Sequence, residues 1–444
     1  MKFIGIDIGT SSICGVVYDS SSKETISITK PNNSNLTTSQ TWKKEQDPTI
    51  IITTVIKLIE ELRTQHPDIA GIGISGQMHG VLYINSKGCA ISPLYIWQDG
   101  RGEQLYKNKE SYATFLSKQT GYPLSTGFGL VTHFYNIKNK LVPDNAYKIC
   151  TIMDYVGMTL TKIKEPITDV SNAAGLGIFD KYNLQFDEQA LLKAGIDKDI
   201  LPLLSKNNTP LGYYKGIPIY PAIGDNQAAF LGSVQDLNHS IHITVGTSSQ
   251  LSVYTNEYIE IPALDTRPLP GGGYLLVGAA LCGGCSFALL KNLVAETIVR
   301  CTGQKITDEK LYRIMLLAAS EINNEENLQI ETLFNGTRLN PNQRGRITNI
   351  SLSNFTLGHL VKGFLNGICK ELYNFYLQIP DNIKNNKKIW VGSGNAIRQN
   401  KLLCQIFEQQ CGCKLQLSPN KEEAALGASL YCAQIMNCKE INRY

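Results

Sequence analysis

The chain has 444 residues, of which 43% are hydrophobic and 18% charged, with a formal net charge of +4. That length supports two or three domains with sizeable cores, and the composition is that of an ordinary globular protein. So small and scattered a charge argues against nucleic acid or a membrane surface as partner, and no apolar run has the length of a membrane-spanning helix.

Met1-Lys2 leads directly into an apolar strand rather than an export signal, so a cytoplasmic location and reduced thiols at the 12 cysteines are expected. Cys282-Gly283-Gly284-Cys285 and Cys411-Gly412-Cys413 have no second CxxC or histidine pair to complete a metal set. Small residues packing beside glycine is the better reading of both.

Residues 3–8 read as a buried strand, Gly9-Thr10-Ser11-Ser12 as a tight turn, and 13–18 as a returning strand. Gly9 permits the reversal, and the hydroxyls and N–H groups of Thr10, Ser11 and Ser12 suit a phosphate. Asp7 sets a carboxylate inside an apolar strand, where it is costly unless paired, and a bound Mg²⁺ would pair it. Asp-x-Gly-Thr also serves ordinary hairpins, where Asp and Gly only shape the turn.

A third strand is expected at 25–28. Asp47 and Pro48 then cap and open a helix with Ile52, Val55, Ile56, Ile59 and Leu62 on its apolar side. Residues 69–75 form a buried strand ending at Gly76. A hairpin is expected from 81–84 through a turn at 85–88, a helix over 103–118, a strand at 216–222, and a turn into a helix at 224–229. This order of strands and helices predicts mixed sheets with helices packed against them. The domain boundary is set after residue 236, giving domains 1–236 and 237–444.

The second half repeats the opening. Residues 240–245 read as a strand, Gly246-Thr247-Ser248-Ser249 as a turn and 250–254 as a returning strand. Two similar halves, each offering a phosphate-cradling turn, would clamp a nucleotide. Thr244 stands where the first copy has Asp7, which biases a metal toward the first half. A long amphipathic helix runs from Leu357 to Ile379. A strand at 388–391, a turn at 392–395, a helix at 399–410, a short strand at 414–417 and a helix at 422–436 complete the reading.

Phosphoryl transfer needs phosphate turns, a metal, a base beside the acceptor hydroxyl and exclusion of water. Asp225, at a strand-to-helix turn, is the candidate base, although helix N-capping explains an Asp there equally well and the two roles can coexist. Ser75-Gly76-Gln77-Met78-His79-Gly80 sits at a strand end, where α/β proteins place ligand contacts. Gln77 and His79 carry groups for sugar hydroxyls, and Met78 an apolar contact. Trp97-Gln98-Asp99-Gly100-Arg101 combines a flat apolar face with polar groups, as a polyol requires. Structural roles in the core remain open for His79 and Trp97.

These segments together resemble the FGGY carbohydrate kinases of the actin, hexokinase and Hsp70 superfamily. The likeness runs in the family's order through Gly5-Ile6-Asp7-Ile8-Gly9-Thr10, Gly76-Gln77-Met78-His79-Gly80 and Gly224-Asp225-Asn226-Gln227. It continues with Val245-Gly246-Thr247-Ser248, Gly392-Ser393-Gly394-Asn395 and Glu423-Ala424-Ala425-Leu426-Gly427-Ala428. The resemblance implies an α/β fold of two ribonuclease H-like lobes, mixed sheets flanked by helices, with ATP and sugar in the cleft between them.

It further implies Asp225 as catalytic base and Asp7 as the Mg²⁺ residue, with Gln77, Met78, His79, Trp97, Asp99 and Asn226 around the sugar. Thr10, Ser11, Ser12, Gly246, Thr247, Arg338, Gly394 and Asn395 would bind ATP. Trp97-Gln98-Asp99-Gly100-Arg101, Thr126-Gly127-Phe128-Gly129, Asp154-Tyr155-Val156, Ser171-Asn172-Ala173-Ala174 and Gly392-Ser393-Gly394-Asn395-Ala396 are similar to the sedoheptulokinase branch. Sedoheptulose, converted to its 7-phosphate, is therefore the expected substrate, with xylulose or another ketose or polyol as the alternative. Gln98 departs from the Asn of xylulokinases, and the thiols of Cys282 and Cys285 stand where a plain glycine-rich loop is expected.

A small-molecule ketose is the expected partner, with no nucleic acid and no membrane, and a homodimer is an allowed assembly. A catalytically inactive sugar or nucleotide sensor on the same scaffold is disfavoured because Asp7 and Asp225 are both present. A Rossmann oxidoreductase is rejected, since no GxGxxG follows a strand with an acidic residue about 20 residues later.

Overall fold

The computed structural model describes residues 1–107, 109–205, 209–322, 327–337, 340 and 342–441. The first strand, β1 (Lys2–Ile8), buries Phe3, Ile4, Ile6 and Ile8 because both faces of its sheet are covered. It pairs antiparallel with β2 (Ser12–Asp19), which pairs antiparallel with β3 (Thr25–Pro31). On its other side β1 runs parallel to β4 (Ile69–Gly76). Beyond β4 lie a hairpin of β5 (Gly212–Tyr214) and β6 (Ile217–Ile219), and β7 (Ile223–Gly224), which joins the end of β4 in parallel. The sheet order is β5-β6-β4-β1-β2-β3, with β7 also on β4.

Helix α1 (Pro48–Gln65) covers one face. The Asp47 carboxylate accepts the Thr49 N–H at 2.7 Å and starts it, as expected. Its buried stripe is Ile51, Val55, Leu58, Ile59 and Leu62, packed on Ile4, Ile6, Ile8, Ile72 and Ile74. The last helix (Glu423–Ile441) covers the other face at very short range: a Cβ on Gly5 would lie 1.8 Å from the Ala425 carbonyl oxygen, and one on Gly73 2.1 Å from that of Ala428. The small residues of 424–428 therefore let a helix backbone lie against a sheet backbone.

Two compact units result: Met1–Gly232 with Arg267–Gly273 and Glu422–Tyr444, and Ser233–Thr266 with Tyr274–Lys421. A single cut after residue 236 differs from this. The glycines of β1 and β4 hold the last helix in the first unit.

In the second unit β8 (Ser240–Val245) pairs antiparallel with β9 (Ser249–Thr255), and β9 with β10 (Tyr274–Ala280). On its other side β8 runs parallel to β11 (Ile389–Ser393), which continues in parallel to β12 (Leu415–Leu417). The order β10-β9-β8-β11-β12 repeats β3-β2-β1-β4-β6, strand for strand and in direction. Helices α3 (Gly284–Thr302) and α4 (Leu357–Leu377) flank this sheet, numbered after α2 (Asp225–Ser233) of the first unit, and Val361, Phe364, Leu365, Ile368 and Leu372 of α4 enter its core.

Two local expectations change and a third is extended. The helix expected over 103–118 begins at Tyr112, because the Ser111 hydroxyl caps it at Thr114 and Gly121 closes it in the left-handed region. Leu82–Ile84 gains a second partner in Lys148–Cys150, beside the expected local hairpin, which closes through the Ile84–Ala90 bridge and the Asn85 N–H on the Cys89 carbonyl at 3.0 Å. The strand expected over 216–222 shortens to β6, with Pro218 inside it and Pro221 beyond it.

Candidate functional site

The first turn is built from the inside. The carbonyl of Gly9 accepts Asn32 Nδ2 at 2.8 Å, that of Thr10 accepts Gln46 Nε2 at 2.9 Å, and that of Ser11 accepts the Asn32 N–H at 2.9 Å. The N–H groups of Thr10 and Ser11 make no hydrogen bond among the described residues. Carbonyls tied inward and amides left over is the arrangement of an anion-binding nest. Ser11 and Ser12 are exposed.

Asp7 stands between Cys14 on β2 and Ser75 on β4 in the sheet register. The residue is half-buried, but its Oδ1 is sealed from solvent and has no hydrogen-bond partner among the described residues. Burial pushes its carboxyl up to about 7, and the carboxylates of Asp225 and Glu422 push in the same direction, against the Ser75 hydroxyl. Glu422 is held in turn by the Thr29 hydroxyl at 3.1 Å.

A buried acceptor without a donor, among other acids, suits a cation. No group of three or more His, Cys, Asp or Glu forms a metal cage among the described residues. That fits Mg²⁺, which keeps waters and phosphate oxygens and takes only one or two carboxylates. Glu422 was not singled out in the sequence, where its position beside the Glu423-Ala424-Ala425 motif was the available signal.

Asp225 opens α2, next to β7, whose Ile223 is in register with Ser75. Its Oδ1 accepts the Asn226 N–H at 2.7 Å, so the carboxylate serves the helix end and keeps a second oxygen. Burial raises its carboxyl to about 6, while the Asn226 N–H and the Arg267 charge pull the other way. A carboxylate poised there is ionised at neutral pH and basic enough to take a proton.

The sugar candidates divide. Trp97 is 46% exposed and donates its indole N–H to Thr10 Oγ1 at 3.0 Å. His79 is partly exposed and sits at a φ of +73°, a left-handed conformation that costs a non-glycine residue about 1–2 kcal/mol. Its Nδ1 bonds the Gly175 carbonyl at 2.6 Å, and its ring stacks on Phe128 with centroids 4.6 Å apart. Met78 is buried against Gly224 and Gly175, while Asn226 is partly exposed beside Asp225.

Gln77 and Asp99 are placed differently from the sequence expectation. Gln77 is 3% exposed, accepts from the Thr10 hydroxyl at 3.1 Å and donates to Gln46 Oε1 at 2.8 Å, so it braces the turn from within. Asp99 is fully buried. Its Oδ1 takes the Arg101 backbone N–H and Nε, and its Oδ2 takes Arg101 Nη2 and the Lys44 N–H. Four donors fill its acceptor sites, and it therefore holds Arg101 rather than facing a ligand.

In the second unit the carbonyl of Gly246 accepts the Gly284 N–H at 2.8 Å, and that of Thr247 accepts the Gly283 and Cys285 N–H groups at 3.0 and 3.1 Å. The start of α3 thus ties down this turn as side chains tie down the first. Cβ atoms on Gly283 and Gly284 would lie 2.5 Å from the Ser248 backbone and 2.6 Å from the Gly246 carbonyl oxygen. The glycines of Cys282-Gly283-Gly284-Cys285 are therefore explained by close approach, and both thiols are free. Thr247 and Ser248 are exposed, with no hydrogen bond from their N–H groups among the described residues.

Where the first unit has Asp7, Thr244 bonds Ser393 Oγ at 3.0 Å, and buried His242 bonds the same oxygen at 2.8 Å. Burial holds the His242 imidazole down at about 4, so this position is uncharged at neutral pH. Gly394, at a φ of +88°, packs on the Val245 backbone and Asn395 is exposed beside it. Arg338 lies outside the described residues.

Repeated mixed sheets, each with a hairpin turn whose amides are left over, and a buried carboxylate without a donor in one of them suit a phosphotransferase. The N-terminal domain of the FGGY family of carbohydrate kinases matches residues 2–232, and the C-terminal domain of that family matches residues 241–435. The chain belongs to this family. It is an ATP-dependent sugar kinase of a family that uses ATP with Mg²⁺, and its substrate is a small molecule.

It is 27% identical to the sedoheptulokinase of Mus musculus over 430 residues, 88% of this chain and 87% of the mouse chain. It is equally 27% identical to that of Homo sapiens over 421 residues, 87% of this chain and 86% of the human one. The solved xylulose kinase from Lactobacillus acidophilus superposes with a TM-score of 0.82 at 22% identity, covering 98% of this chain and 90% of that one, a likeness of fold. Among the described residues no helix is long and apolar enough to cross a membrane.

Proposed function

We propose that this chain phosphorylates the terminal hydroxyl of a ketose, with sedoheptulose as its substrate and Asp225 as the base. The observation that carries the base is the Asp225 carboxylate itself, raised to about 6 by burial and held by one oxygen at the start of α2. The two sedoheptulokinases, matched over most of their length, support the choice of sugar.

Asp225 takes the hydroxyl proton as the sugar oxygen bonds the γ-phosphorus and the bond to ADP breaks. A base so placed contributes about 10²–10⁴-fold. Trp97 offers its ring face to the sugar carbons, with His79 and Asn226 for its hydroxyls. The free amides of Thr10 and Ser11, near Ser12, and those of Thr247 and Ser248, after Gly246, suit phosphate oxygens. Gly394 and Asn395 are assigned to the nucleoside. Asp7 would hold Mg²⁺, which when bound neutralises phosphate charge. Eleven free cysteines among the described residues support a reducing, cytoplasmic setting.

ADP release with sedoheptulose, xylulose, ribulose, fructose and glycerol tests the substrate. Sedoheptulose should give the highest kcat/KM. A clear preference for xylulose would transfer the assignment to that ketose and leave the kinase reading intact.

A further inference from the structure

The motif Ser171-Asn172-Ala173-Ala174 has no part in the chemistry above, yet its first three residues are fully buried. Asp169 caps the short helix Val170–Ala173, and its Oδ1 accepts the Ser171 N–H at 2.8 Å and the Ser171 hydroxyl at 2.5 Å. With its proton committed to Asp169, Ser171 Oγ turns a lone pair to the Gly224 N–H at 3.3 Å. The Ser171 carbonyl accepts Gln227 Nε2 at 3.4 Å, and the same amide nitrogen reaches the Pro268 carbonyl at 3.1 Å. One buried residue therefore bonds Gly224, just before Asp225, and Gln227, two residues after it. The next residue, Asn172, is anchored from behind by the Thr151 and Thr168 hydroxyls at 2.9 and 3.1 Å and by Asp154 Oδ2 at 3.0 Å. Ser171 and Asn172 are both fully buried.

We infer that Ser171, oriented by Asp169, is a positioning residue that fixes the turn carrying Asp225. This rests on the reading of Asp225 as the base. Ser171 and Asp169 are both buried and act through Asp225. Gly224 lies on β7 by only two residues of pairing, so its strand alone holds it weakly, and the Ser171 bonds supply the remaining constraint. A shift of a fraction of an ångström at Asp225 lowers the rate of the chemical step without changing what the sugar or the nucleotide touches.

The test measures kcat and both KM values for Ser171→Ala, Ser171→Thr, Asp169→Asn and Asp225→Asn in the full chain, with the sugar turned over best. Folded fraction is matched by circular dichroism. Ser171→Ala should lose roughly 10- to 100-fold in kcat with both KM values within about threefold, and Ser171→Thr, which keeps the hydroxyl, should recover most of the loss. Asp169→Asn keeps an acceptor for the hydroxyl and gives a second, milder reading of the same contact, expected between wild type and Ser171→Ala. A wild-type kcat in folded Ser171→Ala overturns the positioning role. So does a loss that Ser171→Thr fails to recover, or one that falls on KM. If Ser171→Ala does not fold, a wild-type kcat in Asp169→Asn overturns it instead. Asp225→Asn reports separately: retained activity there removes the base reading, whatever the Ser171 variants do.

Discussion

The indole N–H of Trp97 is donated to the Thr10 hydroxyl at 3.0 Å, and that hydroxyl is donated in turn to Gln77 Oε1 at 3.1 Å. Thr10 Oγ1 is thus fixed as acceptor and donor at once, and a phosphate oxygen would meet the amides of the turn in preference to this hydroxyl. The same bond ties the exposed aromatic residue to the turn, so sugar and nucleotide candidates share one support within the first unit.

Trp97→Phe keeps an aromatic face and deletes this bond. A net hydrogen bond contributes about 0.5–1.5 kcal/mol, a factor of roughly 2–12 in affinity. The KM for ATP should rise by that factor with the KM for sugar nearly constant, whereas Trp97→Ala should raise both. Equal effects of the two variants on the sugar KM would deny the ring a role in sugar contact.

Asp99 separates the structural reading from the sequence reading. It pairs with Arg101 at 2.6 Å, both buried, while Arg101 also reaches Glu45 at 3.1 Å and lies 4.0 Å over the Tyr95 ring. Breaking a buried pair from one side costs about 3–5 kcal/mol where the remaining charge is left uncompensated, and Glu45 holds the loss here toward the lower end of that range. Asp99→Asn should lower the melting temperature markedly and leave the sugar KM of the folded fraction unchanged. A large rise in that KM with unchanged melting would restore Asp99 as a ligand contact.

Asp99 also shows where the sequence was legible and where it was not. Strands with apolar runs, the Asp47 cap, α4 and the doubled turn were readable because each is local and periodic. The repeat extends to strand order, as the doubled turn led us to expect. What Asp99, Gln77 and Ser171 face depends on partners 31 to 56 residues away in sequence, such as Lys44, Gln46 and Gln227. No spacing rule reveals such partners. The last helix belonged to the first unit for a similar reason: Gly5 and Gly73 read as strand glycines, and only packing shows the helix they admit.

The two turn glycines of the second unit offer a paired test. A Cβ on Gly283 meets the Ser248 backbone at 2.5 Å, whereas one on Gly246 meets nothing within 4 Å. Gly283→Ala should destabilise by about 1–3 kcal/mol, since backbone must move to admit the methyl group. Gly246→Ala should melt like wild type, yet its methyl group enters the open space beside the Thr247 amide, where a phosphate is proposed. The ATP KM of Gly246→Ala should therefore rise with stability unchanged. An ATP KM equal to that of wild type would leave this turn without a phosphate.

Asp7 carries a stability signature of the cation it is assigned. Its carboxyl sits at about 7 in the fold against an ordinary 3.8, chiefly through burial. Between those values the folded state binds more protons than the unfolded one, so stability falls as pH rises from about 4 to about 7 and stays reduced above. Asp7→Asn removes the buried charge. Without Mg²⁺ at pH 8 it should melt higher than wild type, by on the order of 1–3 kcal/mol after allowance for the partial exposure of the residue. The difference should vanish near pH 4, where wild-type Asp7 is also neutral. Some downward slope should persist in the variant, because burial also raises Asp154 to about 7 and Asp225 to about 6. Mg²⁺ with nucleotide should raise the melting temperature of wild type and leave Asp7→Asn nearly unmoved, by linkage of binding to folding. Thermal melts over pH 4–8, with and without Mg²⁺ and ADP, check each sign. An Asp7→Asn variant that melts below wild type at pH 8 without metal, or that gains as much from Mg²⁺, would show that Asp7 is neutralised by the protein and not by a cation.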